Sequence, residues 1–539
     1  MLPNAASTLD QGPTDPTWLK DPARCFWWAF GLLLVVRLTV LVEFTTHVDD
    51  ILPVAEAIHQ RSNVYSPWEV VKLSRSYTYA PLQFMVSLPL TFSLAEDWRG
   101  LLFWPRAVSL VIWALGVAAA FRVLEGLLGA NRRALALFGG GLMCFSLRGA
   151  AESSQGYNYA TTLALTVGTG WLVVADEGLG LLRRSWRAPL LIGLLLALSV
   201  WTTYQAVFIA CGFFLALGFV ALRNRDWILL AKGVVMGVML CAGLLAVYKL
   251  VISYILGFAQ SVPPWPGVTL PGTGARQLVT YPVRAFWAAA QNDLTCLPWG
   301  WPTQILTGLL LTAGGCGVGL GLWKQRFSPA AQRALFWIAC LFSCLVVLGY
   351  LKLYALGETR HSFLFQFPLV VLVLVGLSYW EWPRPRLQLV GAVALGLGVF
   401  GLGHYLSVTR RQVDLDWIQS ELAVHPGAII TDFPADCSWD FVLLARSHPD
   451  ELKRMSLAIE LPANPADPDQ AWSEQFKEAS IVYLYSHRLK LQPHHLEAIS
   501  RMGQFRLTRL AEVDPVSSAE ISGLINAGNA FYFYKFERL

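Results

Sequence analysis

The chain has 539 residues, of which 55% are hydrophobic and 14% charged, with a formal net charge of +5. So apolar a balance excludes an ordinary soluble protein and fits a polytopic membrane protein. The small positive excess is spread over short basic clusters between apolar runs, which gives no ground for a nucleic-acid partner.

The first 24 residues are polar and Pro-rich, without the short apolar core and small-residue cleavage site of a signal peptide. They are expected to be cytoplasmic, with the first span retained as an anchor. A bilayer crossing needs about 20 apolar residues. Runs of that kind fall near Cys25–Glu43, Leu101–Leu124, Ala134–Leu147, Tyr159–Ala175, Pro189–Val200, Ala206–Leu222, Ile228–Ile252, Gln304–Trp323, Ala334–Leu351, Phe363–Trp380 and Leu389–Leu406. That reading gives about eleven crossings between residues 25 and 406.

The run Pro81–Leu94 is short and contains Pro89, so it suits a surface-lying or re-entrant helix. Parity supports leaving it uncrossed. Arg132/Arg133, Arg183/Arg184/Arg187, Arg223/Arg225, Lys324/Arg326 and Arg384/Arg386 then all face the cytoplasm, as the positive-inside rule requires. Arg410 and Arg411 lie outside, against the trend. The outer face collects residues 45–100, the turn with Glu152, the turn with Trp201 and Tyr204, a long loop over 253–302 and the turn 350–363.

Residues 407–539 are of another kind. Strand-like stretches (AIITDF, SIVYLYS, FRLTRLAEV, NAFYFYKFERL) alternate with helix-like ones (SWDFVLLARSH, PHHLEAISRM), which predicts a small soluble α/β domain outside the membrane. It has no GxGxxG and no P-loop. No internal repeat of the transporter kind is visible. Among the nine cysteines no zinc-type pairing occurs, and most lie inside apolar runs.

The candidate site residues are all external. Asp49 and Asp50 follow the first span. Asp50 suits a helix N-cap, because Pro53 then falls in the first turn without removing a hydrogen bond, and Asp49 is left to point elsewhere. Lys72 and Arg75 are cations near the membrane surface, where headgroup snorkelling competes with an anion site. Glu152 lies at a span end, where solvation alone would explain it. Lys352, Glu358, Arg360 and His361 crowd one external turn; an Arg fork there matches phosphate geometry, and a Glu358–Arg360 surface pair is the alternative. Arg37, within the first apolar run, is a functional candidate as an intramembrane cation, with outward snorkelling or a structural pair with Glu43 an equally good reading. Trp265, Trp287, Trp299 and Trp301 read as interface aromatics or as sugar-stacking platforms.

HVDD (Asp49, Asp50), YTYAPL (Tyr77–Leu82), Glu152 and ETRHSFLFQFP (Glu358–Pro368) together resemble the GT-C glycosyltransferases, among them the protein O-mannosyltransferases, the lipid A aminoarabinose transferases and the polyprenyl-phosphate-mannose-dependent mannosyltransferases. The chain departs from many relatives in having Asp-Asp for Asp-Glu, Ala80-Pro81 for Pro-Pro, and Glu152 where Asp is common. It lacks the WWDYG signature of oligosaccharyltransferases. The resemblance implies a helical membrane fold with a juxtamembrane helical loop, a bacterial inner-membrane location, and inverting transfer of a sugar from a polyprenyl-phosphate donor to a hydroxyl on a glycan, lipid or protein acceptor. It implies Asp49 as general base, with Asp50 and Glu152 beside it, and Arg360 and His361 on the donor phosphate, joined by Lys72, Arg75 or Lys352. Tyr77, Tyr79, Trp201, Tyr204 and Trp265 are the expected sugar or acceptor contacts. Glu152 either orients the acceptor or helps hold a divalent metal, magnesium or manganese; the metal stays open. Rival readings are a lipid-linked glycan flippase or transporter, and a glycan polymerase or ligase of another membrane fold.

Overall fold

The computed structural model describes residues 22–39, 41, 62–76, 80–96, 98–129, 132–146, 159–254, 274–294, 300–351, 353, 354, 356, 362–380, 479–487, 493–513 and 531–539, with scattered positions between 53 and 57 and between 421 and 491. The membrane part is a helical bundle: α1 Pro22–Thr39, α2 Pro67–Ser76, α3 Pro81–Leu94, α4 Trp98–Leu128, α5 Arg133–Phe145, α6 Tyr159–Val174, α7 Asp176–Arg184, α8 Arg187–Thr202, α9 Ala206–Arg223, α10 Trp227–Val247 with a π-helical extension over Tyr248–Ile252, α11 Ala275–Asp293, α12 Gly300–Trp323, α13 Pro329–Tyr350, a 3-10 turn Ser362–Phe365 and α14 Gln366–Leu377.

Ten of these helices occupy the first ten predicted spans. Five are long and apolar enough to cross a membrane, and α6 joined to α7 makes a sixth, bent by 79°. The other four, in α1, α5, α8 and α14, are shorter apolar helices. The predicted span over Leu389–Leu406 lies outside the described residues.

The packing explains the apolar composition. Every residue of α14 except Leu372 is buried, as suits a helix that is hydrophobic all round and sits at the centre of the bundle. Around it, α8, α10 and α12 turn rows of leucine and valine outward (Leu191, Leu195, Val234, Val238, Leu309), which is the lipid-facing pattern. Between helices, close approach replaces the hydrophobic effect that is missing in lipid. A Cβ on Gly376 of α14 would fall on the backbone of Gly314 in α12, and one on Gly243 of α10 would come within 2.8 Å of the Ala197 backbone in α8.

The helix ends fall into two sets. At one end, Arg183 pairs with Asp226 at 2.9 Å, Asp226 caps α10 through the Leu229 amide, and Arg333 bonds both the Val174 carbonyl (2.8 Å) and Asp176 (2.5 Å). The buried Lys232 ammonium donates to the carbonyls of Leu182 and Arg183, both at 2.8 Å, satisfying the C-terminus of α7. Trp186, Trp227 and Trp323 are exposed beside this end. The sequence left residues 176–187 as a basic loop; the structure makes them the amphipathic helix α7, with Leu179 and Leu182 buried under the charged face.

At the opposite end lie α2, α3, the start of α4, the π-helical extension and α11. Gly100 abuts Ala95, while Gln83 of α3 donates to Ser109 at 3.2 Å and accepts from Thr161 at 3.2 Å. So α3 runs antiparallel along only the first third of the 31-residue α4. The remainder of α4, roughly 28 Å at 1.5 Å per residue, is itself long enough to span. The long loop expected over 253–302 is corrected in part: Ala275–Asp293 is a 19-residue helix.

In the C-terminal region, five strands form one mixed sheet: β1 Ala428–Thr431, β2 Ile459–Glu460, β3 Ile481–His487, β4 Phe505–Val513 and β5 Phe531–Arg538, in the order β2-β1-β3-β5-β4. β2, β1 and β3 are parallel and the β3–β5–β4 pairings antiparallel. The helix α15, Pro493–Met502, connects β3 to β4. The four strand-like stretches of the sequence correspond to β1, β3, β4 and β5; SWDFVLLARSH lies outside the described residues.

Candidate functional site

The end of the bundle that carries α2 and α3 is built as a separate layer. Val54, Ala57, Val64, Val70, Leu73, Phe84, Leu88, Leu101 and Leu102 form a small core of their own. Val71 and Val251 make a second contact, backed by Met85 and Trp201, where α2 meets the π-helical extension. The layer is therefore held by apolar packing and not only by its loops.

Arg75 fastens the two elements. Its Nε donates to the Leu250 carbonyl at 2.8 Å, and its guanidinium lies 4.0 Å from the centre of the Tyr254 ring and 5.0 Å from that of Trp68. Lys72, on the same helix, forms an exposed ion pair with Glu69 at 2.8 Å. Trp201 is half-buried against Val71 and Val251. Tyr204 is half-buried too, and burial pushes its phenol pKa up, so it remains a neutral hydrogen-bonding group. Thus Arg75 and Trp201 meet at one joint, while Lys72 faces solvent beside it.

Asp49, Asp50, Tyr77, Tyr79, Glu152, Trp265, Lys352, Arg360 and His361 lie outside the described residues. Their flanks are described. Arg106, buried on α4, donates to the Leu41 carbonyl at 2.8 Å, just past the end of α1 and eight positions before Asp49. Arg37 is buried, with its guanidinium 4.5 Å over Trp113, so of the readings offered for it outward snorkelling is excluded. Pro53, Val54 and Ala57 are helical, in keeping with a helix following the acidic pair. Tyr159, which ends the Glu152 segment, is buried.

One group escaped the sequence reading. Asp293, the last residue of α11, is fully buried; its carboxylate accepts from the Ser362 hydroxyl at 3.3 Å, and its backbone carbonyl accepts from the Gln366 amide at 3.3 Å. Ser362 directly follows His361. Among the described residues no group of three or more His, Cys, Asp or Glu side chains could hold a metal ion.

No protein-family model matches the chain, and no curated protein matches it either. Solved structures do. ArnT from Cupriavidus metallidurans in the apo state aligns with a TM-score of 0.50 at 12% identity, over 95% of this chain and 98% of that one. The same protein bound to undecaprenyl phosphate aligns with a TM-score of 0.48 at 12% identity, over 95% and 98%. The apo oligosaccharyltransferase of Archaeoglobus fulgidus gives 0.39 at 12% identity, over 92% of this chain and 70% of that one. Over nearly its whole length, then, the chain shares the fold of apo ArnT.

Proposed function

We propose that this protein is a membrane glycosyltransferase that moves a sugar from a polyprenyl-phosphate donor to an acceptor hydroxyl on the outer side of a bacterial inner membrane. The observation that carries the reading is the fold shared with apo ArnT across 95% of the chain, in a sequence that has an acidic pair after α1 and an Arg-His pair before the 3-10 turn. The orientation follows from charge: Arg183, Arg184, Arg187, Arg223, Arg225 and Lys324 cluster at or next to one set of helix ends, which is read as cytoplasmic. The other end, with α2, α3 and α11, then faces outward.

The chemistry asks for a base on the acceptor and fixed positive charge on the leaving group. In this reading the acceptor oxygen attacks the anomeric carbon as its proton passes to the Asp49 carboxylate. The bond from that carbon to the phosphate oxygen breaks, and the electron pair leaves on the lipid phosphate, held by Arg360 and His361. One displacement inverts the anomeric centre. Asp50 caps the following helix. Arg75, engaged with Leu250, braces the α2 layer. Glu152 orients the acceptor, and Tyr77, Tyr79, Trp201, Tyr204 and Trp265 supply stacking and hydrogen-bonding surface for sugar.

The test is incubation of the full-length protein with polyprenyl-phosphate sugars radiolabelled in the sugar. Label leaving the donor lipid for a hydroxyl acceptor supports the reading; donors of every sugar class remaining intact in the presence of folded protein defeat it.

A further inference from the structure

We infer that the exposed arginines flanking the Arg183–Asp226 bridge hold the phosphate headgroup of an anionic phospholipid of the surrounding bilayer. The site lies at the end of the bundle away from α2 and α3. It depends neither on the reaction proposed above nor on which side of the membrane this end faces. The lipid meant is a bulk membrane phospholipid and not the sugar donor.

Short hydrogen bonds fix the platform. Arg183, near the end of α7, pairs at 2.9 Å with Asp226, the cap of α10. The buried Lys232 of α10 donates to the Leu182 and Arg183 carbonyls. Arg184 follows one member of the bridge and Arg225 precedes the other, so each has its Cα about 3.8 Å from that of a bridge residue. Arg187 opens α8 and Arg223 closes α9. All four of these arginines are exposed. Arg183 and Asp226 neutralise each other, and among the described residues no carboxylate pairs with Arg184, Arg187, Arg223 or Arg225. Their guanidinium forks match the oxygens of a phosphate.

The surroundings favour a lipid over a free anion. Trp186 and Trp227 are exposed beside the arginines, and so are Leu190 and Leu191 on α8 and Ile228 on α10. Interfacial aromatic rings next to an apolar wall match the profile of a phospholipid, and basic pockets at helix ends are where anionic headgroups bind.

Arg225 carries an independent mark. Its φ is +53°. The Arg225 amide donates to the Leu222 carbonyl at 3.1 Å and the Asp226 amide to the Ala221 carbonyl at 2.8 Å, the pattern of a left-handed helix C-cap. Glycine is the usual residue there, because a side chain in that conformation costs free energy. An arginine whose guanidinium points to solvent offsets that cost through something outside the protein.

The experiment uses full-length protein in neutral detergent micelles, with phosphatidylglycerol, phosphatidylcholine or inorganic phosphate added, and reads the melting temperature. Phosphatidylglycerol raises it by several degrees, as a ligand of the folded state does, and the other two additives do not. In Arg184→Gln/Arg225→Gly the shift falls to less than half. Arg276→Gln/Arg284→Gln, which removes two exposed arginines of α11 at the opposite end, keeps the full shift. Arg225→Gly alone, without lipid, melts at or above the wild-type temperature, because the backbone strain is gone. Equal loss of the shift in the two double variants overturns the site, as does a full shift in Arg184→Gln/Arg225→Gly. A shift of the same size with phosphatidylcholine or with inorganic phosphate overturns the choice of ligand. Arg225→Gly that melts below the wild type without lipid overturns the argument from strain. If Arg184→Gln/Arg225→Gly does not fold, the Arg187→Gln/Arg223→Gln protein decides by the same shift.

Discussion

Arg75 and Leu250, 175 positions apart, are joined by a 2.8 Å hydrogen bond from guanidinium to backbone carbonyl. The bond links α2, in the outer layer, to the π-helical end of α10, a membrane-spanning helix. Arg75→Lys keeps the charge but loses the planar stack on Tyr254 and Trp68, and an ammonium cannot reproduce the Nε geometry. The variant is expected to lose about 1–3 kcal/mol at this joint and to show lower transfer activity with little change in expression. Thermal unfolding beside a transfer assay checks this. Wild-type behaviour in both would mean that the joint contributes nothing.

Asp226 gives a pH-dependent contribution at the other end. Partial burial works against its ionisation, but the Leu229 amide and the Arg183 guanidinium outweigh that and hold its carboxyl below the usual carboxylate range. A depressed folded-state pKa means stability that is present above the unfolded value, near 4, and is lost as pH falls through the lower folded value. Asp226→Ala should cost about 1 kcal/mol at neutral pH as a lost cap. The difference from wild type should shrink on acidification below about pH 4. Melting curves at pH 7 and pH 3 decide it; a difference that grows on acidification contradicts the assignment.

Lys232→Met removes the ammonium that closes the C-terminus of α7 and leaves the Leu182 and Arg183 carbonyls without that donor. A loss of about 1.5–3 kcal/mol is expected, seen as a lower melting temperature with unchanged lipid-phosphate binding, because the residue lies at the end of the bundle away from α2 and α3.

Gly376→Val places a branched side chain where α12 and α14 touch backbone to backbone. Overpacking of about 1–3 kcal/mol or more follows, with loss of monodisperse protein in size-exclusion chromatography. Gly315→Val, in the same stretch of α12 but with open space around the added Cβ, is the control and should remain monodisperse.

Much of the architecture was legible because bilayers impose a length on apolar runs: α4, α9, α10, α12 and α13 each lie where the hydropathy placed a span. The tail strands were legible for a different reason. Runs such as IVYLYS and FYFYKF are dense in β-branched and aromatic residues, and β3 and β5 form from them. What the sequence hid depends on tertiary contact. The 79° bend between α6 and α7 accompanies the burial of Leu179 and Leu182, and the π-helical extension is read only from its hydrogen bonds. Asp293 fell within the long external loop expected over 253–302; nothing local marks it as buried against Ser362. For Arg75 the two readings offered were headgroup and phosphate, and the structure adds a third, a brace on Leu250.

Topology follows from the charge grouping. With a cysteine-free background, a probe at Asp436→Cys should be labelled by an impermeant reagent from outside intact cells, and one at Arg184→Cys should not. Labelling of Arg184→Cys alone would invert the orientation and move the acidic pair to the cytoplasm.

The central claim is glycosyl transfer by the end of the bundle that bears the acidic pair. It is tested most directly in proteoliposomes, with a donor lipid labelled in the sugar and a soluble hydroxyl acceptor, following acceptor labelling and donor translocation together. The account predicts acceptor labelling that falls by about 10²–10⁴-fold in Asp49→Asn, as for loss of a general base, with no protein-dependent translocation. Translocation of intact donor without labelled acceptor, unaffected by Asp49→Asn, would contradict it and point to a flippase.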